Sequence, residues 1–545
     1  MSRSERIRWV VAAPAAALLL ARAAYLDRPF RLIDDAFISF RYAANLAAGK
    51  RLVWNPGERV EGYTNFLWTL LLAAGARAGL DLVVLSKLLA AAAGVGTVFL
   101  LTRLAASLPA EEEQGSSLLQ IALPPFLFAA MGSQARYIVS GMETLLFVFL
   151  LVLALDLLFL RGRPALAGAV FAAAAMTRPE GVLYALLAGA CFLSWGAQAP
   201  RPWPRLLRLA GGFVLCYLPY TLWRVAYYGH LFPNTYYVKA GGFSWARVAR
   251  GAELLSQLAT SWSVYPLLIL ALASLPSLRS LRGDASRRLL RVCWAYVVAT
   301  VAYFLWVGGD FLEFFGPRFL MPALPALLLL AAQGLDNFLR WLAPEQGPRR
   351  TAAGAVAWAI AALLLANGLW LSWPARFSTL PGLAFEMEAW TRTGRWLREN
   401  TAPGAVLAVG AAGAIPYYSR RPAIDMFGLT DPHIAHLDPA VGGRPAAHEK
   451  FDPAYVLDRR PDFIVSTRLD FQGRPMTAGL RDVGDRLAAC YNLFAVVKVR
   501  GERPDEGSWV VTTSRYRRDL YADGYRMGIF RRRHGPRAAQ CAALE

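Results

Sequence analysis

Predominantly apolar runs of about 17–25 residues recur along this chain, and that is the length an α-helix needs to cross a bilayer. Val83–Leu101, Thr144–Leu160, Gly212–Tyr228, Phe319–Leu335 and Ala352–Leu371 are examples. Mean hydropathy is +0.35 and 56% of the 545 residues are hydrophobic. A soluble chain of this size shows fewer such runs, so the sequence predicts a polytopic helical membrane protein.

The formal net charge of +20 would suggest nucleic acid in a soluble protein. In a membrane protein, arginine collects in cytoplasmic loops instead, and no nucleic-acid partner is expected. Eleven spans are predicted, at roughly 7–25, 83–103, 117–131, 144–160, 165–176, 182–197, 209–228, 261–278, 292–308, 318–340 and 351–373. The basic loops at 161–164, 199–208, 279–291 and 340–350 alternate consistently only if all are inside, with Arg3, Arg6 and Arg8. That requires the apolar segment Thr64–Gly79 to lie in or on the outer leaflet without crossing. The N-terminus resembles a signal peptide, ending Ala21-Arg22-Ala23, but reads as an uncleaved first helix.

From about Ala375 the composition becomes that of a soluble domain. Val406–Val409, Phe463–Ser466, Phe494–Val499 and Trp509–Thr513 read as strands and Phe385–Leu397 as a helix. The expected organisation is a transmembrane domain over 1–374, with a first outer loop at 26–82, and a small extracytoplasmic α/β domain over 375–545. Cys191, Cys216 and Cys293 sit in apolar runs, whereas Cys490 and Cys541 could pair if the C-terminal region is exported.

The first outer loop carries the most chemistry. It starts Leu32-Ile33-Asp34-Asp35-Ala36-Phe37. A carboxylate pair directly after a membrane helix is costly unless it faces water or a ligand. A hydroxyl attacking a sugar carbon needs a base within hydrogen-bond reach, and a carboxylate can serve. The structural alternative is an N-cap on a helix over Ala36–Ala48 that stops at Gly49. Arg41 lies on that helix, and Glu61, Tyr63, Asn65 and Trp68 follow in the same loop as candidate sugar contacts. For Tyr63 and Trp68 the alternative is membrane-interface anchoring.

Further polar groups fall on the same predicted face. They are Glu143, Arg178 and Glu180, then His230, Asn234, Tyr237 and Lys239, and finally Asp310 and Arg318. Lys239, Arg178 and Arg318 would suit a phosphate at headgroup depth. His433, His436 and His448 are spaced like metal ligands but sit in a Pro- and Gly-rich loop. No dedicated metal cage is visible, although Asp34 or Asp35 could hold a divalent cation such as Mg, Mn or Ca.

The run DDAFISFRYAANLAAGKRLVWNPGERVEGYTNFLW, with GMETLLF, TRPEG, YYGHLFPNTYYVK and the GGD…R loop, resembles the GT-C membrane glycosyltransferases. Among these it resembles the mycobacterial terminal arabinofuranosyltransferase family and its wider bacterial relatives. The resemblance implies a polyprenyl-phosphate sugar donor, a cell-envelope glycan or lipid acceptor, and inverting transfer on the outer face of the bacterial inner membrane. It also implies that an acidic residue of the first outer loop is the base. We expect Asp34 in that role, with Asp35 as cap or second ligand. The alternatives are a non-catalytic assembly or motility factor that kept the fold, and a transporter. The latter would show repeats and polar, broken helices at mid-membrane.

Overall fold

The computed structural model describes residues 3–27, 32–108, 118–193, 202–239, 244–261, 264–280, 284–309, 318–342, 348–371, 380–438, 450–469, 474–475, 477, 480, 482–499, 508–512, 526–534 and 541. Helix α1 (Arg3–Leu26) is followed by α2 (Asp34–Ala47) and α3 (Phe66–Arg77) in the first loop. Next come α4 (Leu82–Ala105), α5 (Leu118–Ala130), α6 (Gly132–Val139) and α7 (Thr144–Leu155), the last running into a π-helical turn at Asp156–Leu160. Helices α8 (Pro164–Thr177), α9 (Gly181–Leu193), α10 (Pro202–Tyr228), α11 (Asn234–Lys239), α12 (Trp245–Ser261), α13 (Tyr265–Ala273), α14 (Ser277–Ser280) and α15 (Asp284–Val307) precede α16 (Leu324–Leu342) and α17 (Pro348–Leu371).

Among the described residues, six helical segments are long and apolar enough to cross a membrane. They are Glu5–Leu26, Leu82–Ala105, Trp203–Tyr228, Ser286–Val307, Met321–Leu342 and Thr351–Trp370. The pair α5 and α6, bent by 51°, forms a seventh candidate. The other predicted spans, near 144–160, 165–176, 182–197 and 261–278, fall on shorter apolar helices. Helix α3 has twelve residues, so at a rise of ~1.5 Å per residue it reaches about 18 Å, well short of a ~30 Å hydrocarbon core.

Helix pairs approach closely where glycine removes a side chain. A Cβ on Gly168 of α8 would stand 2.0 Å from the Leu209 carbonyl oxygen, and one on Gly212 of α10 would stand 2.0 Å from that of Ala165. Close backbone approach of this kind supplies the dispersion contact that replaces the hydrophobic effect inside lipid.

After α18 (Leu380–Asn400) the chain builds a six-stranded mixed sheet. Its elements are β1 (Leu407–Val409), α19 (Ala414–Ser419), β2 (Ala423–Asp425), α20 (Pro432–Ala435), α21 (Pro453–Asp458), β3 (Phe463–Ser466), α22 (Gly484–Cys490), β4 (Tyr491–Val499), β5 (Ser508–Thr512) and β6 (Arg526–Arg532). The strand order is β2-β1-β3-β6-β4-β5, with β1 parallel to β2 and β3 and the remaining pairs antiparallel. Four of these strands match the sequence-based expectation. The expectation missed β2, which is too short for a periodic signal, and β6, whose Arg526, Arg531 and Arg532 break the apolar pattern. Cys490 and Cys541 form a disulfide.

The sheet does not stand apart from the membrane part. Ile38 and Tyr42 of α2 and Leu52, Trp54 and Tyr63 of the first loop share one apolar core with Leu407, Val409, Phe463, Val465, Val497 and Ile529 of the sheet. The opposite sheet face packs a separate core around Ile424, Ile464, Val496 and Phe530. Helix α2 is therefore clamped between the membrane helices and the sheet.

Candidate functional site

Helix α2 starts at Asp34, one residue too early for Asp34 to cap it and two too early for Asp35. Ile33 occupies the N-cap, and Asp34 and Asp35 lie in the first turn, where the exposed N–H groups and helix dipole favour carboxylates. The predicted stop at Gly49 holds, with φ of 77° and a backbone N–H bonded to the Leu46 carbonyl.

The two aspartates face different partners. The Asp34 carboxylate accepts backbone N–H bonds from Gly413 (3.0 Å) and Ala414 (2.7 Å), at the start of α19. Burial pushes its carboxyl up to about 7, against the pull of the Ala414 N–H and with a smaller push from the Asp35 charge. Gly413 is required for this approach, since a Cβ there would stand 1.9 Å from the Asp34 carbonyl oxygen. Asp35 instead lines a cavity of about 370 Å³, where its Oδ2 lies 3.3 Å from an Arg318 guanidinium nitrogen.

That cavity collects residues from at least eight separate parts of the chain. Asp35 and Ser39 come from α2, Tyr63 and Asn65 from the first loop, Glu143 from the turn before α7, and Arg178 and Glu180 from the turn between α8 and α9. Tyr236 of α11 and Arg247 of α12 close one side, and Tyr303, Trp306, Arg318 and Phe319 another. Arg178 is buried and gripped by Glu180 (2.6 Å) and Glu143 (3.2 Å). Glu143 in turn accepts from Asn65 Nδ2 (2.9 Å), whose Oδ1 accepts from the Ser39 hydroxyl (3.0 Å). The guanidinium carbons of Arg178 and Arg318 lie 5.2 and 5.3 Å from the centre of the same Phe319 ring. Arg178, Arg247 and Arg318 thus share an aromatic-walled cavity with Asp35, Glu143 and Glu180, and its guanidinium groups can hold an anion beside a hydroxyl.

Several residues expected here stand outside the cavity. The guanidinium of Arg41 is engaged by the carbonyls of Trp54, Pro416 and Arg421 and by Asn55, because it joins α2 to α19. Glu61 is buried against Arg224 (2.8 Å). Trp68 is fully buried and donates to the Gly141 carbonyl. Asn234 donates to the Gly428 and Leu429 carbonyls, fastening α11 to the sheet region. The Tyr237 ring lies tilted against His436, 4.3 Å between ring centres, with His230 beside them at the exposed surface. His433 pairs with Asp452 and His436 bonds the Pro432 carbonyl. Lys239 ends α11, but its side chain, like Asp310 and His448, lies outside the described residues. Among the described residues no three His, Cys, Asp or Glu side chains gather as a metal site.

Sequence reasoning missed Ser39, Arg247, Tyr303, Trp306 and Phe319. Ser39 has a legible signal, standing one helical turn after Asp35. The others sit on α12 and α15, or just before α16, where nothing local separates a cavity residue from an interface anchor.

Over 232 residues the chain is 31% identical to the terminal β-(1→2)-arabinofuranosyltransferase of Mycobacterium tuberculosis, covering 40% of this chain. It spans 36% of the length of that relative. The structure of apo ArnT from Cupriavidus metallidurans superposes with a TM-score of 0.54 at 15% identity, over 96% of this chain and 97% of that one. The same protein bound to undecaprenyl phosphate gives 0.50 at 14% identity, over 76% and 85%. The fold is that of the GT-C membrane glycosyltransferases. Residues 383–527 match a family described as a domain of unknown function (DUF8728).

Proposed function

We propose that this protein is a glycosyltransferase that moves a sugar from a polyprenyl-phosphate donor to a cell-envelope glycan or lipid acceptor on the outer face of the bacterial inner membrane. The observation that carries the reading is the placing of Asp35 in one cavity with Arg178 and Arg318. Supporting it are the sequence likeness to an arabinofuranosyltransferase and the likeness of fold to a protein that binds undecaprenyl phosphate.

In this reading Asp35, rather than Asp34, is the base, because Asp34 is already engaged by Gly413 and Ala414. Asp35 takes the proton of the acceptor hydroxyl as its oxygen attacks the anomeric carbon. The bond from that carbon to the phosphate oxygen breaks on the opposite side, inverting the centre and releasing the lipid phosphate. Negative charge grows on that phosphate, and Arg178 and Arg318 stabilise it electrostatically. Arg178 is pre-set by Glu143 and Glu180, so it need not reorganise during the reaction. Lys239 is a third candidate cation. A divalent ion, if used, would be held by Asp35. Phe232, Tyr236 and Trp306 are exposed aromatics at the cavity and suit contact with the first isoprene units of a lipid.

The experiment is transfer by the purified protein from a panel of synthetic polyprenyl-phosphate pentoses and hexoses. Release of lipid phosphate together with product from at least one donor is expected. No turnover with any donor and acceptor, in a folded protein that binds none of the lipids, would leave the non-catalytic scaffold reading standing instead.

A further inference from the structure

A second cavity, of about 930 Å³, lies between α2 and the sheet region and has no part in the chemistry above. It sits at the upper end of the size range of small-molecule sites. Its walls come from the C-terminal half of α2, the C-terminal end of α18, and α19 with the turn that follows it. Lys50, Arg395, Arg398 and Arg420 line it and are exposed. Among the described residues none of these four makes an ion pair, and Glu399 is the one acid in the lining. Like charges held around a concave wall repel one another, so the arrangement is relieved by an anion.

The rest of the lining says what kind of anion. Tyr417 and Tyr418 and four prolines supply flat faces, and the Arg395 guanidinium lies 5.1 Å from the Tyr418 ring centre. No Leu, Ile, Val, Phe or Trp lines the cavity, in contrast to the first, so nothing there suits an acyl chain. Tyrosine and proline faces against sugar C–H surfaces, with arginine forks for carboxylate or phosphate, are the chemistry of an acidic saccharide.

The geometry points to this groove as a binding site for an acidic glycan, a saccharide carrying carboxylate or phosphodiester groups, apart from the transfer site. It rests on the glycosyltransferase reading only in taking the anion to be a glycan.

The test is direct binding to the full-length protein in detergent, with fluorescent oligogalacturonate and oligo(glycerol phosphate) as acidic probes and maltohexaose as the neutral one. Binding of at least one acidic probe is expected, weakening with added salt, with none of the neutral one. The double variant Arg395→Gln/Arg398→Gln should bind about tenfold more weakly. Lys50→Gln, on a different element, should weaken binding in the same direction, which guards against a folding defect in α18. Transfer to a short neutral acceptor should be unchanged in both, so loss of binding and loss of the transferase reading are separable. Failure of both acidic probes to bind, equal binding by the variants, or binding only to phosphatidylglycerol nanodiscs would overturn the proposal.

Discussion

Asp34 and Asp35 are neighbours in sequence, but successive helical residues point about 100° apart, and that rotation separates their roles. Asp35 faces the cavity and Asp34 faces α19. Asp35→Asn is expected to lower turnover by about a hundredfold or more while leaving the protein folded, as measured by single-turnover transfer and thermal unfolding. Near-wild-type turnover would show that the base is elsewhere. Arg178→Ala and Arg318→Ala should each slow transfer at least about tenfold, or ~1.4 kcal/mol of barrier. Chelation should cost less than either, and full loss in EDTA restored by one added metal would reverse that order. Asp34 carries a pH signature instead. Its carboxyl is pushed up to about 7 by burial, so between an ordinary value near ~4 and about 7 the folded protein holds a proton that the unfolded chain has released. Its contribution to stability is therefore greatest at low pH and declines as pH rises through that window. Asp34→Asn should flatten this part of the curve of unfolding midpoint against pH.

At the level of elements, the join between α2 and α19 governs how the cavity is held. Arg41 donates to three carbonyls and to Asn55 across that join, and Gly413 allows the two backbones to meet. Arg41→Ala leaves buried acceptors without donors and should destabilise the protein by on the order of 3 kcal/mol. Calorimetry in detergent would measure it, and a change within error would mean that water replaces the guanidinium. Gly413→Ala puts a Cβ 1.9 Å from the Asp34 carbonyl oxygen, so it should lower the unfolding midpoint as well as transfer by forcing α2 and α19 apart. Ala36 to Ala43 of α2 are buried throughout. Its polar residues Arg41 and Asn45 donate to carbonyls of the first loop, and Arg41 also to those of Pro416 and Arg421; no local pattern distinguishes such residues from ones that meet headgroups.

For the whole molecule, the disulfide between Cys490 and Cys541 bears on sidedness, because disulfides persist in oxidising compartments. A reporter placed by Gly484→Cys in a Cys216→Ser background should react with an impermeant maleimide on intact cells. Labelling only after permeabilisation would put the sheet inside and would overturn the predicted topology. The bridge closes a sequence separation of 51 residues, for which loop entropy gives about 4 kcal/mol. Cys490→Ser with Cys541→Ser should therefore unfold the sheet region first, visible as early protease cleavage after α17.

The amino-acid sequence determined the class of protein by itself. Helical spans announce themselves by the length of their apolar runs, since lipid offers no other way to satisfy a backbone. Asp35, Asn65, Glu143, Arg178 and Arg318 were also legible, because polar groups flanking apolar runs are rare and costly. Which of two adjacent aspartates faces the cavity was not legible, nor was the diversion of Arg41, Glu61 and Asn234 into structural joins. Each of those outcomes depends on partners 160 or more residues away, such as Gly413 for Asp34 and Arg224 for Glu61. Contacts of that range exist only once α10 and the sheet region have both closed on the first loop, and tertiary packing alone decided them.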